Sequence, residues 1–116
     1  MSSNKEIKTK TPRQIKMLFW SVFAGSKGCI NRVKIILKIK QMPLNTNQLS
    51  QDLGLDYKVV ERHLEILEEN NLVTKVGSNY GVTYFLSPLL ESNLNIFDEM
   101  ADKSKNCKEN LQINSS

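Results

Sequence analysis

The chain is poor in the residues that mark many chemistries. Its 116 residues include two cysteines, one histidine, one tryptophan and three prolines. Cys29 and Cys107 lie far apart, and neither has a His or Cys at metal-ligand spacing. That excludes a zinc motif and a disulfide framework, and it fits a reducing compartment. The longest strongly apolar run, Met17–Ala24, is far short of the roughly 20 residues that span a bilayer. The Lys-rich polar stretch before it does not have the layout of a secretory signal. There is no glycine-rich phosphate loop, and no Ser, His and acid fall at a catalytic spacing. Catalytic residues, a metal and a cofactor are therefore not expected, and neither is an obligatory small-molecule ligand or a membrane partner.

Acidic residues are missing from the first half: none occurs between Ile7 and Gln51. Residues 1–51 carry a net charge of about +9 and residues 52–116 about −5, within a total of +4. A polyanion would be drawn to the first half. The alternative is a solvated basic face balanced by the acidic half of a partner subunit.

What is present is a series of helix signals. Residues 1–10 read as a flexible basic arm. Thr11-Pro12 opens a helix, with Gln14 completing a capping box. Ile15, Leu18, Phe19, Val22 and Phe23 form its apolar stripe, and Gly25 ends it. A second helix is predicted over Asn31–Gln41, with Val33, Ile35, Ile36, Leu37 and Ile39 inward, Lys34 and Lys38 outward, and Pro43 as its stop. Asn45 and Gln48 form another capping box around Thr46 and Asn47. The short helix they open carries Leu49 and Leu53 and breaks at Gly54. Asp56 is placed to cap a longer helix from Tyr57 to about Asn70, with Val60, Leu64 and Leu67 inward and Asn71 as a left-handed terminator. Leu72–Val76 and Val82–Leu86 read as a hairpin around Gly77–Gly81. Ser87 caps a last helix carrying Leu90, Leu94, Phe97 and Ala101 on one stripe, with Met100 beside it. Residues 104–116 read as a disordered tail.

The expected fold class is mainly α with a small β-hairpin, in the order α-α-α-α-β-β-α. The organisation is an arm over 1–10, a DNA-binding unit over 11–86, a dimerisation helix over 87–103 and the tail. Two helices joined by a short glycine turn form a helix-turn-helix, whose second helix enters the DNA major groove. The residues left outward on that helix are Tyr57, Lys58, Val59, Glu61, Arg62 and Glu65. Arg62 suits guanine, and Tyr57, Lys58 and Val59 suit phosphate and thymine-methyl contacts. Glu61 and Glu65 oppose phosphates unless they accept from a cytosine amino group. Lys34, Lys38, Asn45, Thr46, Asn47 and Gln48 are candidates for the DNA backbone. Lys75, Ser78, Asn79 and Tyr80 would form a wing, although a generic surface hairpin reads almost as well. Leu18, Phe19, Trp20, Leu90, Leu94, Phe97, Met100 and Ala101 are candidates for a two-fold interface. His63 borders an inner helix face and is expected as a packed, hydrogen-bonded structural residue.

Leu18-Phe19-Trp20, Ala24 to Gly28, Asn31-Arg32-Val33, Asn45 to Leu49, Leu53 to Lys58, His63-Leu64, Leu67 to Asn70 and Tyr80 to Tyr84 together resemble archaeal winged-helix regulators related to the arsenic-repressor (ArsR) type. The resemblance covers roughly residues 15–88, and its most specific piece is Asn47–Leu67. It implies a winged helix, duplex DNA as partner through the Tyr57–Leu67 helix, and a homodimer built from the first and last helices. A cytoplasmic, nucleoid-associated protein is expected. The metal-sensing branch carries a Cys-x-Cys box that this chain lacks, so metal sensing is not implied. Glu61 stands where the similar proteins often have a basic residue, and Asn71 replaces a frequent glycine. The reading is a sequence-specific regulator. The alternatives are a winged-helix protein-docking module and a sequence-independent chromatin-type DNA binder.

Overall fold

The fold is seen in a computed structural model that describes residues 10–25, 28–78 and 81–102, with Ser78 described by its backbone alone. The expected arm, the tail with Cys107, and the wing-tip residues Asn79 and Tyr80 lie outside the described residues. Helix α1 (Pro12–Phe23) begins at Thr11. The Thr11 hydroxyl accepts from the Gln14 amide at 3.2 Å, and the Thr11 amide donates to Gln14 Oε1 at 2.9 Å. Two orphan donors of the first turn are thus satisfied, and Pro12 supplies a helical φ where no amide hydrogen is needed. The helix closes as the Gly25 amide donates to the Trp20 carbonyl at 2.7 Å.

Helix α2 (Cys29–Gln41) starts two residues earlier than the apolar pattern alone indicates, because Gly28 takes a left-handed φ of 83° as its N-cap. Its buried face is Arg32, Val33, Ile35, Ile36 and Ile39. Leu37, expected inward, points out and is 40% exposed. The face is turned toward Arg32 and Ile35, which leaves Leu37 on the opposite side.

Helix α3 (Thr46–Leu53) carries the second capping box. Asn45 Oδ1 accepts from the Gln48 amide at 2.7 Å, and the Asn45 amide donates to Gln48 Oε1 at 2.9 Å. Gly54 closes the helix at φ 67°. The turn is tied by Ser50, whose hydroxyl donates to the Leu55 carbonyl at 2.6 Å and whose carbonyl accepts from the Leu55 amide at 3.1 Å. Helix α4 (Tyr57–Glu69) follows. Asp56 holds the N-cap position, but its side chain makes no cap hydrogen bond, and its carbonyl accepts from Val59 and Val60 instead. Asn71 adopts φ 60°, and the Leu72 amide reaches back to Leu67 at 2.8 Å, as expected of a left-handed terminator.

The hairpin belongs to a three-stranded antiparallel sheet in the order β1-β3-β2, with β1 (Leu44–Asn45), β2 (Val73–Ser78) and β3 (Gly81–Leu86). Strand β1 was not expected, since two residues carry no periodicity. It is fixed from outside by pairing Leu44 with Tyr84 and Asn45 with Thr83. The hairpin strands run further than Val76 and Val82, to the pair Ser78–Gly81. A Cβ at Gly77 would collide with the Gly81 carbonyl, so glycine lets the strands close this tightly.

The last helix is two pieces rather than one: α5 (Pro88–Glu91), capped by the Ser87 hydroxyl accepting from the Leu90 amide at 3.1 Å, and α6 (residues 94–102). Asn93 interrupts them by turning its side-chain amide onto the Leu89 carbonyl at 2.8 Å, a local bond that competes with the helical ladder. Phe23 stands edge-on to Phe19 at 5.7 Å and to Phe97 at 4.9 Å, which locks α6 onto α1. The core otherwise joins α2, α3 and α4 through Ile36, Leu49, Val60, Leu64 and Leu67.

Candidate nucleic-acid interface

Helices α3 and α4 with the Gly54 turn form the helix-turn-helix, and the β2–β3 hairpin stands beside α4 as the wing. Val60, His63, Leu64 and Leu67 bury one side of α4. Tyr57, Lys58, Val59, Arg62 and Glu65 are exposed on the other, and Glu61 is half-buried at its edge. Among the described residues neither Lys58 nor Arg62 is ion-paired. They lie one turn apart on the same face, and Lys58 stands in the first turn, where the dipole also favours anions.

An open groove of about 410 Å³ runs between α4, the start of α3 and β3, lined by Asn45, Thr46, Asn47, Tyr57, Glu61, Gly81, Val82 and Tyr84. The expected backbone-contacting residues divide here. Asn47 is exposed. The side chains of Asn45 and Gln48 are engaged in the cap of α3. Thr46 is buried in the same groove as Tyr84, whose hydroxyl is pushed up from its ordinary range by burial. The expected cations are placed as follows. Lys34 is half-buried. Lys38 reaches Asp52 at 4.0 Å and Lys75 reaches Glu68 at 3.6 Å. Both pairs are partly exposed, so each is worth little and is easily exchanged for a phosphate.

Behind this face lies a connection that pattern reading missed. Arg32 is buried; its Nε donates to the Val22 carbonyl at 2.9 Å and its Nη1 lies 3.2 Å from His63 Nδ1. A guanidinium only donates, so Nδ1 must accept and the His63 proton resides on Nε2. One side chain of α2 thus joins the end of α1 to α4 directly behind Arg62. Gly28 completes the pocket, since a Cβ there would approach His63 Cε1 to 2.9 Å. Burial lowers the pKa of His63 below its usual 6.5, and the charges of Arg32 and Arg62 lower it further. Burial also lowers that of Arg32. The expectation of a packed, hydrogen-bonded histidine holds. The available signal for Arg32 was an arginine on an otherwise apolar helix face opposite the chain's one histidine.

The residues expected at a two-fold interface are not all on the surface. Phe19, Leu90 and Phe97 are wholly enclosed, and Met100 is 6% exposed. In this chain they are core, because α6 folds back against α1 and covers its own stripe. Leu18, Leu94 and Ala101 are half-buried. Trp20 is 48% and Met17 65% exposed, and with Lys16 and Met100 they line an apolar groove of about 300 Å³.

Among the described residues there is no cluster of His, Cys, Asp or Glu fit to hold a metal, and no helix is long and apolar enough to cross a membrane. Residues 30–75, from α2 into β2, match the family described as bacterial regulatory protein, arsR family. No curated protein matches the chain. Solved structures with a similar fold include HlyU from Vibrio cholerae (19% identity, 78% of this chain and 90% of that chain covered, TM-score 0.57). The transcriptional regulator HlyU from Vibrio vulnificus is similar as well (17% identity, 94% and 97% covered, TM-score 0.58). So is the homodimeric winged helix-turn-helix DNA-binding domain of Mb0332 from Mycobacterium bovis, a possible ArsR-family transcriptional regulator (13% identity, 89% and 92% covered, TM-score 0.55). The chain is therefore a winged helix-turn-helix, and its helix-turn-helix segment carries the arsR-type sequence pattern.

Proposed function

We propose that the protein is a sequence-specific transcription regulator that binds duplex DNA as a homodimer, without an obligatory small-molecule ligand, in the cytoplasm and on the nucleoid. The observation that carries the reading is the exposed face of α4. Tyr57, Lys58, Val59 and Arg62 stand on the second helix of a helix-turn-helix, flanked by Asn47 on one side and the wing on the other. The arsR match over the same segment supports it, as does the similarity of the fold to the homodimeric DNA-binding domain of Mb0332. The finer likeness to archaeal regulators rests on the sequence runs alone. Two subunits meeting through Trp20 and Met17 would present two such helices to a pseudo-palindromic site whose half-sites lie about one DNA turn apart.

Selection of bound sequences from random duplex DNA, repeated at two salt concentrations, tests this. An inverted repeat is the expected outcome. Binding without a motif and with a steep salt slope would replace the reading with a chromatin-type role. Absence of binding at low salt would replace it with protein docking, a role that the acidic flank Glu61 and Glu65 favours.

A further inference from the structure

Glu61 is the residue of α4 that fits least well with DNA as a polyanion, and its surroundings give it a use. It lies one turn after Tyr57 and lines the groove shared with Asn45, Asn47, Gly81 and Val82. It is half-buried, and among the described residues it has no cationic partner, whereas the neighbouring Glu68 is paired with Lys75. Its charge reaches Tyr84, at the back of the same groove. A carboxylate without a cation repels any phosphate that approaches. It accepts hydrogen bonds only, so the groove at this point admits a donor.

The major-groove edge of a duplex offers two exocyclic donors, the amino groups of cytosine and adenine. Beside the adenine amino group stands N7, an acceptor that repels a carboxylate. Beside the cytosine amino group is an apolar C–H. We infer that Glu61 is a specificity-determining residue that accepts from the N4 amino group of one cytosine in each half-site, next to the base pair read by Arg62. This rests on the proposal that α4 enters the major groove. It makes Glu61 a selector: the carboxylate lowers affinity for all duplexes through the phosphates and restores it where a cytosine stands opposite.

The test is the same selection from random duplex DNA, run on wild type, Glu61→Ala and Glu61→Gln, with circular dichroism to show that all three are folded. Wild type is expected to yield a motif with cytosine fixed at one position per half-site. E61A should keep the rest of the motif and lose that preference by roughly tenfold, while binding unrelated duplexes as well as or better than wild type. E61Q gains a donor, and glutamine pairs with adenine through N6 and N7, so the same position should change from cytosine to adenine. A wild-type motif that reappears unchanged in both variants would overturn the role of Glu61 and leave the function intact. A wild-type selection with no motif would overturn the reading of α4 on which this inference depends.

Discussion

Arg32 and His63 show how one polar contact inside an apolar core fixes the helix that carries Arg62. Arg32 spans the Val22 carbonyl on α1 and the His63 ring on α4, so the helix carrying Arg62 is held from behind by a donor that only a neutral His63 can accept. Because the folded-state pKa of His63 is depressed below 6.5, the unfolded chain takes up the proton first. The contribution to stability is complete above pH 6.5 and is lost progressively as pH falls from there toward the folded-state value. Thermal midpoints measured from pH 8 down to pH 5 should show this decline. His63→Gln, which keeps an acceptor that does not titrate, is the comparison. Equal declines in the two proteins would refute the assignment. Arg62 itself is solvent-exposed, so Arg62→Ala should leave folding intact. It should lower discrimination at one base pair by about 1–3 kcal/mol, read by competition between the selected site and its single-base variants.

At the scale of the elements, the caps were legible because they are local chemistry. Thr11, Asn45 and Ser87 each accept from a backbone amide three residues on, as their spacing predicts. Gly54 and Asn71 end helices by left-handed backbone. Asn45→Ala should therefore destabilise the protein by about 1 kcal/mol, measured by urea unfolding, whereas Asn45→Asp should stay near wild type because it keeps the acceptor. Asp56 holds a cap position without capping. Local spacing could not reveal β1, whose two residues are strand only because β3 lies beside them. Nor could spacing show that Asn93 would turn its side chain onto Leu89 and divide the last helix.

Across the whole molecule, α6 satisfies its apolar stripe internally against Phe19 and Phe23. Among the exposed apolar residues that remain, Met17 and Trp20 share a groove on α1, and the proposed two-fold contact would use it. Trp20 contributes little to the core at 48% exposure, so Trp20→Lys should fold normally. Sedimentation should show a shift from dimer toward monomer, and affinity for a two-half-site duplex should fall toward that for a single half-site. A variant that remains fully dimeric would place the two-fold contact elsewhere on the chain. The charge asymmetry follows a simple physical rule at this scale: the basic half can attract a polyanion only where its cations are exposed, and Lys38 and Lys40 already have acidic neighbours.

The succession of helices, the glycine turn after Leu53, the hairpin and the winged helix-turn-helix class followed from the chain order, because caps, breakers and apolar periodicity act over three or four residues. The candidates on α4 were legible for the same reason: Val60, Leu64 and Leu67 assign the inner face, and the outer one follows. Long-range packing settled which apolar residues each helix hides. Leu37 points out while Arg32 goes in, and Leu90 and Phe97 serve this chain's own core. Such choices depend on which distant surface arrives opposite, and neither hydrophobicity nor spacing within one helix contains that information.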